Sequence, residues 1–226
     1  MVEPLESGKN ISGTNATLLL SIVDREERGL MEVSPKIGRE TIESCKAGDS
    51  KAFEAIVLCY QKRVFNIAYR MLGNLEEAKD LAQEVFLSVF DSIKNLREEI
   101  KFDGWLTQIT LNHCRNRWKY LKRRYYFASD SLDDPVETED GAVPIQICDP
   151  SDGPETLYEK KVIEQSIQRG LMKLKEDQRE LIVLRDLQGY SYEEIGKLFH
   201  LPGGTVKSKL HRARMDLKEV LGRTAH

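Results

Sequence analysis

The side chains of this 226-residue chain best suited to chemistry are cations and short polar groups at helical spacing, not paired nucleophiles and bases. Lys207, Ser208, His211 and Arg212 fall on one face of the segment TVKSKLHRARMDL, with Thr205 at its start and Lys209 and Arg214 on its flanks. Lys and Arg so placed reach phosphates or guanine edges in a major groove, and Ser or Thr reads either base type. A second cluster, Arg115, Arg117, Lys119, Lys122, Arg123 and Arg124, is interleaved with Trp118, Tyr120, Tyr125 and Tyr126. Cations that follow a backbone, beside aromatic faces for stacking, suit single-stranded or partly melted nucleic acid. A third group, Glu76, Glu77, Asp80, Gln83 and Glu84, makes one helix face acidic. The nine carboxylates of residues 130–155 are the one group that could suggest metal-dependent hydrolysis. They lie in a Pro- and Gly-rich stretch with no scaffold to hold ligands, so no catalytic site, metal or cofactor is expected.

The elements that must carry these groups are helices. Ser191 and Glu194 form a capping box, so a short helix starts at Tyr192 with Ile195, Leu198 and Phe199 on its apolar face. Gly196 is expected to let a second helix cross close by. After the break HLPGG, Val206, Leu210, Ala213 and Leu217 repeat at the spacing of a buried stripe. A short helix, a tight turn and a helix with a basic, polar outer face make a helix-turn-helix whose second helix enters a major groove. Upstream, Ser50 to Leu72 and Leu75 to Ile93 read as long amphipathic helices separated by Gly73 and the cap Asn74. A third helix is expected from Gly104 to about Tyr125, capped by Asp103. Trp105, Leu106 and Ile109 can face its core, and Asn112, Arg115, Asn116 and Lys119 project elsewhere.

The formal net charge of −3 hides an asymmetry: residues 130–155 contain no Lys or Arg, and the blocks before and after are mildly basic. Binding to nucleic acid depends on where cations cluster, so an acidic total does not oppose it. No apolar run approaches the roughly 20 residues of a membrane helix. Thr17 to Val23 is too short, and no leader or membrane insertion is expected. Cys45, Cys59, Cys114 and Cys148 show no ligand spacing and read as reduced thiols of a cytoplasmic protein. The expected organisation is all-α. Residues 1–35 form a mobile extension, 36–127 a helical bundle, 128–155 a flexible acidic linker, and 156–226 the helix-turn-helix domain, whose helices resume near Thr156.

Read together, AKDLAQEVFLSVF at Ala78–Phe90, FDGWLTQITLNHCRNRW at Phe102–Trp118 and SYEEIGKLFHLPGGTVKSKLHRAR at Ser191–Arg214 resemble bacterial RNA polymerase sigma factors of the extracytoplasmic-function type. The likeness covers roughly Ile37 to Leu221. It implies that Asp80, Gln83 and Glu84 dock on the β′ clamp helices of core polymerase, with the β subunit a further partner. It implies that Trp105, Asn112, Arg115, Asn116 and Lys119 meet the melted non-template strand at the −10 element. Thr205, Lys207, Ser208, His211 and Arg212 would meet duplex DNA at the −35 element. The family is commonly held inactive by an anti-sigma factor, so such a partner is an expectation too. Gly203 and Gly204 depart from the pattern, because glycine weakens a helix start. The competing reading is an autonomous helix-turn-helix regulator whose N-terminal helices serve dimerisation or ligand binding.

Overall fold

Asp49 opens the longest helix of the N-terminal half by accepting a hydrogen bond from the Lys51 amide at 2.9 Å. Such a cap satisfies one of the amides that a helix start leaves without an intrahelical partner. The structure, a computed structural model, describes residues 37–97, 101–128 and 154–223, and each regular element among them is helical. The N-terminal half contains α1 (Arg39–Lys46), α2 (Ser50–Leu72), α3 (Leu75–Ser92), a 3-10 turn (Ile93–Asn95) and α4 (Phe102–Ala128). The C-terminal half contains α5 (Pro154–Met172), α6 (Glu176–Ile182), a π-helical turn (Val183–Leu187), α7 (Tyr192–Phe199) and α8 (Gly203–Arg223).

The all-α expectation holds, and so do the two central helices of the first half. Gly73 ends α2 at φ 75°, a left-handed conformation that glycine adopts without penalty. Asn74 then caps α3 by accepting from the Glu77 amide at 3.0 Å. Ile56, Tyr60, Val64 and Ile67 of α2 face Leu81, Val85 and Val89 of α3 and Leu106 and Cys114 of α4, all of them buried. Each fully buried side chain of this size contributes on the order of 1.5–3 kcal/mol through apolar burial. The capping box is present as read: the Glu194 amide donates to Ser191 Oγ at 3.1 Å, and the Ser191 amide donates to Glu194 Oε2 at 2.9 Å. Val206, Leu210, Ala213 and Leu217 form the buried stripe of α8.

Three expectations are corrected. Asp103 is not the cap of α4, which already begins at the buried Phe102. The Asp103 carboxylate instead accepts from the Tyr60 hydroxyl at 2.5 Å and lies 3.6 Å from Arg63, so tertiary partners outcompete the local cap. Helix α4 runs on to Ala128, and α5 starts at Pro154, where a missing amide hydrogen costs nothing. The expected linker therefore loses its edges to helix, while residues 129–153, like the expected extension 1–35, lie outside the described residues. Gly196 chiefly accommodates the turn: a Cβ there would lie 2.7 Å from the Leu201 carbonyl oxygen, whereas Val206 of α8 is at an ordinary 3.9 Å.

The two halves pack together. Buried apolar side chains of both belong to one continuous core. Arg179, only 1% exposed, ties them. Its guanidinium donates to the carbonyls of Leu171, Met172 and Leu174 at the end of α5, and to Met71 at the end of α2 at 2.6 Å.

The turn geometry makes a direct prediction about the glycines. Gly196→Ala must displace the Leu201 backbone and should cost about 1–3 kcal/mol. Gly203→Ala and Gly204→Ala meet nothing within 4 Å. Each should be neutral or stabilise the start of α8 by up to about 1 kcal/mol. Urea denaturation of the three variants measures this, and equal stability of all three would contradict the turn packing.

Candidate functional site

Three exposed surfaces collect the residues singled out above, each on a different helix. On α3, Asp80 and Gln83 are exposed, and no described residue pairs with them. Glu84 is engaged differently: Arg117 of α4 donates to its Oε1 and, at 2.7 Å, to Glu77 Oε2. His113 Nδ1 lies 3.8 Å from Glu84, and the other ring nitrogen shares a 2.9 Å hydrogen bond with Ser88. Glu84 and Glu77 thus fasten α3 to α4, which leaves Asp80 and Gln83 as the outward polar pair.

Leu87 and Phe90 continue that outward line. They are 66% and 52% exposed, far from the burial that such side chains normally reach. Asp80, Gln83, Leu87 and Phe90 follow a three–four–three spacing and so share one face of α3. The two apolar members were missed when the face was read as acidic alone. Their spacing is the signal that could have found them.

On α4, Asn112 and Asn116 are exposed and Arg115 is part-buried. Arg115 donates to Asn112 Oδ1 at 3.0 Å and forks onto Glu180 of α6, from Nε at 2.6 Å and from Nη2 at 2.7 Å. Burial is the larger influence on Glu180 and pushes its carboxyl above the usual range, while Arg115 pulls it back. The same pair raises the guanidinium pKa of Arg115. Lys119, Lys122, Arg123 and Arg124 leave the basic end of the helix exposed. Trp105 is half-buried against Phe102, with ring centres 5.7 Å apart. Of the interleaved aromatics, Tyr120 is exposed and Trp118 lies beneath the Arg179 guanidinium at 4.6 Å. The side chains of Tyr125 and Tyr126 lie outside the described part.

On α8, Lys207, Ser208, His211 and Arg212 are all exposed, and Thr205 is half-buried at the first turn. Ser208 Oγ donates to the Thr205 carbonyl at 3.0 Å, the resting bond of a serine on a solvent face. Lys207, His211 and Arg212 have no ion-pair partner among the described residues. The flanking cations differ. Arg214 is held by Asp186, and Lys209 lies 3.9 Å from Asp177. The geometry brings the cations of α4 and α8 to one cleft, since Arg115, Lys119 and Lys209 line it together with Glu176, Glu180 and Phe199. Among the described residues no group of His, Cys, Asp and Glu could hold a metal ion, and no helix is long and apolar enough to cross a membrane.

Comparison with known proteins matches the two halves separately and in order. Residues 56–125 match Sigma-70 region 2, and residues 164–217 match Sigma-70, region 4. The chain is 34% identical over 183 residues to the ECF RNA polymerase sigma factor SigW of Bacillus subtilis, covering 81% of this chain and 96% of that one. It is 32% identical over 176 residues to the ECF RNA polymerase sigma-E factor of Escherichia coli K12, covering 76% and 88%. The fold is similar to that of the sigma factor RpoE of Bartonella quintana, solved with the anti-sigma factor NepR, at a TM-score of 0.58 and 22% identity over 76% of this chain and 97% of that one. It is also similar to CnrH, solved with the cytosolic domain of CnrY, at a TM-score of 0.56 and 20% identity over 81% and 96%. A region 2 match ahead of the helix-turn-helix does not favour the autonomous regulator, and the chain belongs to the extracytoplasmic-function RNA polymerase sigma factors.

Proposed function

We propose that this chain works in the cytoplasm as a promoter-specificity subunit, with its three exposed surfaces divided among three partners. The stripe Asp80, Gln83, Leu87 and Phe90, steadied by Glu84, docks on the clamp helices of core polymerase. Asn112, Arg115, Asn116 and Lys119 of α4, with Trp105 at its start, take the melted non-template strand at the −10 element. Thr205, Lys207, Ser208, His211 and Arg212 read duplex DNA at the −35 element. Residues 36–127 and 156–226 act as the two working units, and neither performs chemistry on its ligand. An anti-sigma partner is part of the reading, supported by neighbours of similar fold solved with such proteins.

The observation that carries the reading is the exposure of this stripe on α3, in the region 2 match, in a chain that also presents a basic face on α8. Leu87 is exposed in register with Asp80 and Gln83, and Phe90 exposes half its surface while its ring packs edge-on against Phe53 at 5.0 Å. Capture of unstacked bases by α4 would offset the few kcal/mol that unstacking requires. Arg115 can form a fork onto a phosphate as it does onto a carboxylate.

Polymerase docking separates α3's two kinds of acid. Asp80→Arg, alone or with Leu87→Ser, should lower core affinity at least about tenfold and leave the melting temperature unchanged, because charge reversal acts at the contact alone. Glu84→Arg should also cost about 1 kcal/mol of folding stability, since it sets a cation against Arg117. Unaltered core binding in Asp80→Arg/Leu87→Ser would remove this docking site.

The α8 face yields the second test. Arg212→Ala should cost about 1–3 kcal/mol and relax preference at one −35 position, because a guanidinium can fork onto a guanine edge. Lys207→Ala should weaken all sequences alike and shallow the salt dependence by about one unit of slope. Both positions are exposed, so neither variant opens a cavity. Binding of both to every single-base variant of the element at two salt concentrations gives the answer. Wild-type behaviour in both would mean that this face stays out of the groove.

A further inference from the structure

Met215 of α8 is 54% exposed. A lone exposed apolar side chain on a solvated surface is ordinary. The position of this one is not. Gly204, Ser208, His211 and Met215 repeat at i, i+4, i+7 and i+11, the spacing of the buried stripe Val206, Leu210, Ala213 and Leu217 shifted by two residues. Two residues turn about 200° around a helix, so this line runs along the side opposite the core. Lys207 and Arg212 flank the line, and Met215 stands one turn beyond His211 and Arg212.

The neighbours of Met215 fix where it points. Arg214 donates to Asp186 from Nε at 3.1 Å and from Nη2 at 2.5 Å, which ties one flank of α8 to the π-helical turn. The Asp186 side chain is only 9% exposed, so this contact is shielded from water. Gln178 of α6 donates to Asp216 at 2.5 Å and ties the other flank. With the residues on either side fastened to different elements, α8 is fixed against rolling, and the thioether is held outward between them. One turn further, Glu219 pairs with Arg223 at 2.7 Å. An anion there opposes phosphate, so the nucleic-acid face of α8 ends at Met215.

The head of the same line is bare. Glycine weakens a helix start, and a Cβ at Gly204 would meet nothing within 4 Å, so the fold itself gains nothing from its absence. What a bare position gives is close approach of the backbone to a ligand. With glycine and serine leading the outward line, α8 can lie deep in a groove, which brings a long side chain two turns on within reach of base edges.

We propose that Met215 is a further specificity-determining residue of α8, an apolar reader whose thioether meets the C5-methyl group of one thymine in the upstream duplex. The proposal rests on the reading of α8 as the −35 helix. Thymine alone presents an apolar group in the major groove. The cations and hydroxyls of this face cannot read a methyl group, whereas an unbranched, polarizable methionine can pack against it. Met215 lies about 10 Å beyond Ser208 along the helix axis, at about 1.5 Å per residue. That length is roughly three base pairs of duplex, which sets the thymine about that far from the pair that Ser208 meets.

The test uses the full chain assembled with core polymerase, on a promoter duplex whose −35 element has been recovered by selection from random sequence. Each thymine of the element is replaced in turn by deoxyuridine, which removes the methyl group and keeps every hydrogen-bonding group. Wild-type affinity should fall about threefold to fivefold at one thymine, the worth of one buried methyl. Met215→Ala should bind the thymine and deoxyuridine forms of that position alike, and Met215→Leu, still apolar, should keep the difference. Core affinity and melting temperature of Met215→Ala should match the wild type. Indifference of the wild type to deoxyuridine at every position would overturn the assignment. So would full methyl dependence in Met215→Ala, or a loss of core affinity in that variant, which would mark the residue as a polymerase contact. The underlying reading fails by a different result: if selection recovers no element, or Arg212→Ala and Lys207→Ala bind the recovered one as the wild type does, α8 is not the −35 helix.

Discussion

Burial of a single guanidinium constrains most of this structure. Arg179 is removed from water, a state that is costly for a cation unless its donors are satisfied. Burial is the largest influence on its pKa, which falls to about 10, with Glu176 and Glu180 opposing the shift. Its donors are used on carbonyls at the ends of α5 and α2, groups that a helix terminus leaves without partners. One side chain therefore closes two helices and joins two halves, and the face of Trp118 covers it at 4.6 Å. Met172 packs against the left-handed Gly73 at the same junction, where a Cβ would lie 2.7 Å from its sulfur. Once this junction is set, α6 is fixed against α4, and Glu180 is delivered to Arg115.

A sigma factor must hold its DNA-reading side chains in fixed geometry and yet present them to sites far apart. The structure meets the first demand within each half by apolar packing and caps, as in the stripe of α8 and the α2–α3 core. Across the halves, ion pairs and hydrogen bonds are added to the shared apolar core. Arg117 and Arg115 show the division. Arg117 pairs within its own half, with Glu77 and Glu84, and holds α3 to α4. Arg115, two residues earlier, pairs across the junction.

What was legible in the sequence is what local pattern controls. The bounds of α2, the capping box at Ser191 and the stripe from Val206 to Leu217 follow from spacing and caps within a few residues. Asp103 was misread because it satisfies the local rule for a cap, yet Tyr60 and Arg63, forty residues upstream, hold its carboxylate. Arg179, Glu180 and Tyr190 carried no periodic signal of their role, since their partners Met71, Arg115 and Thr107 are far away in the chain. The exposed Leu87 and Phe90 lay within reach of helical spacing, but apolar residues are expected inside, and only burial reveals which stay outside. Of the candidate site, the outward face of α8 could be read residue by residue. Which cations of α4 are free could not, because that depends on α3 and α6.

Promoter recognition that depends on both halves and on core polymerase is tested most directly by transcription in vitro on a library of promoter fragments, with core polymerase alone and with this protein added. The expected result is transcripts that require the protein, from fragments sharing two sequence elements at one fixed spacing about two helical turns apart. Transcripts that ignore the spacing, or none at all while the protein alone binds a single duplex site tightly, would contradict it.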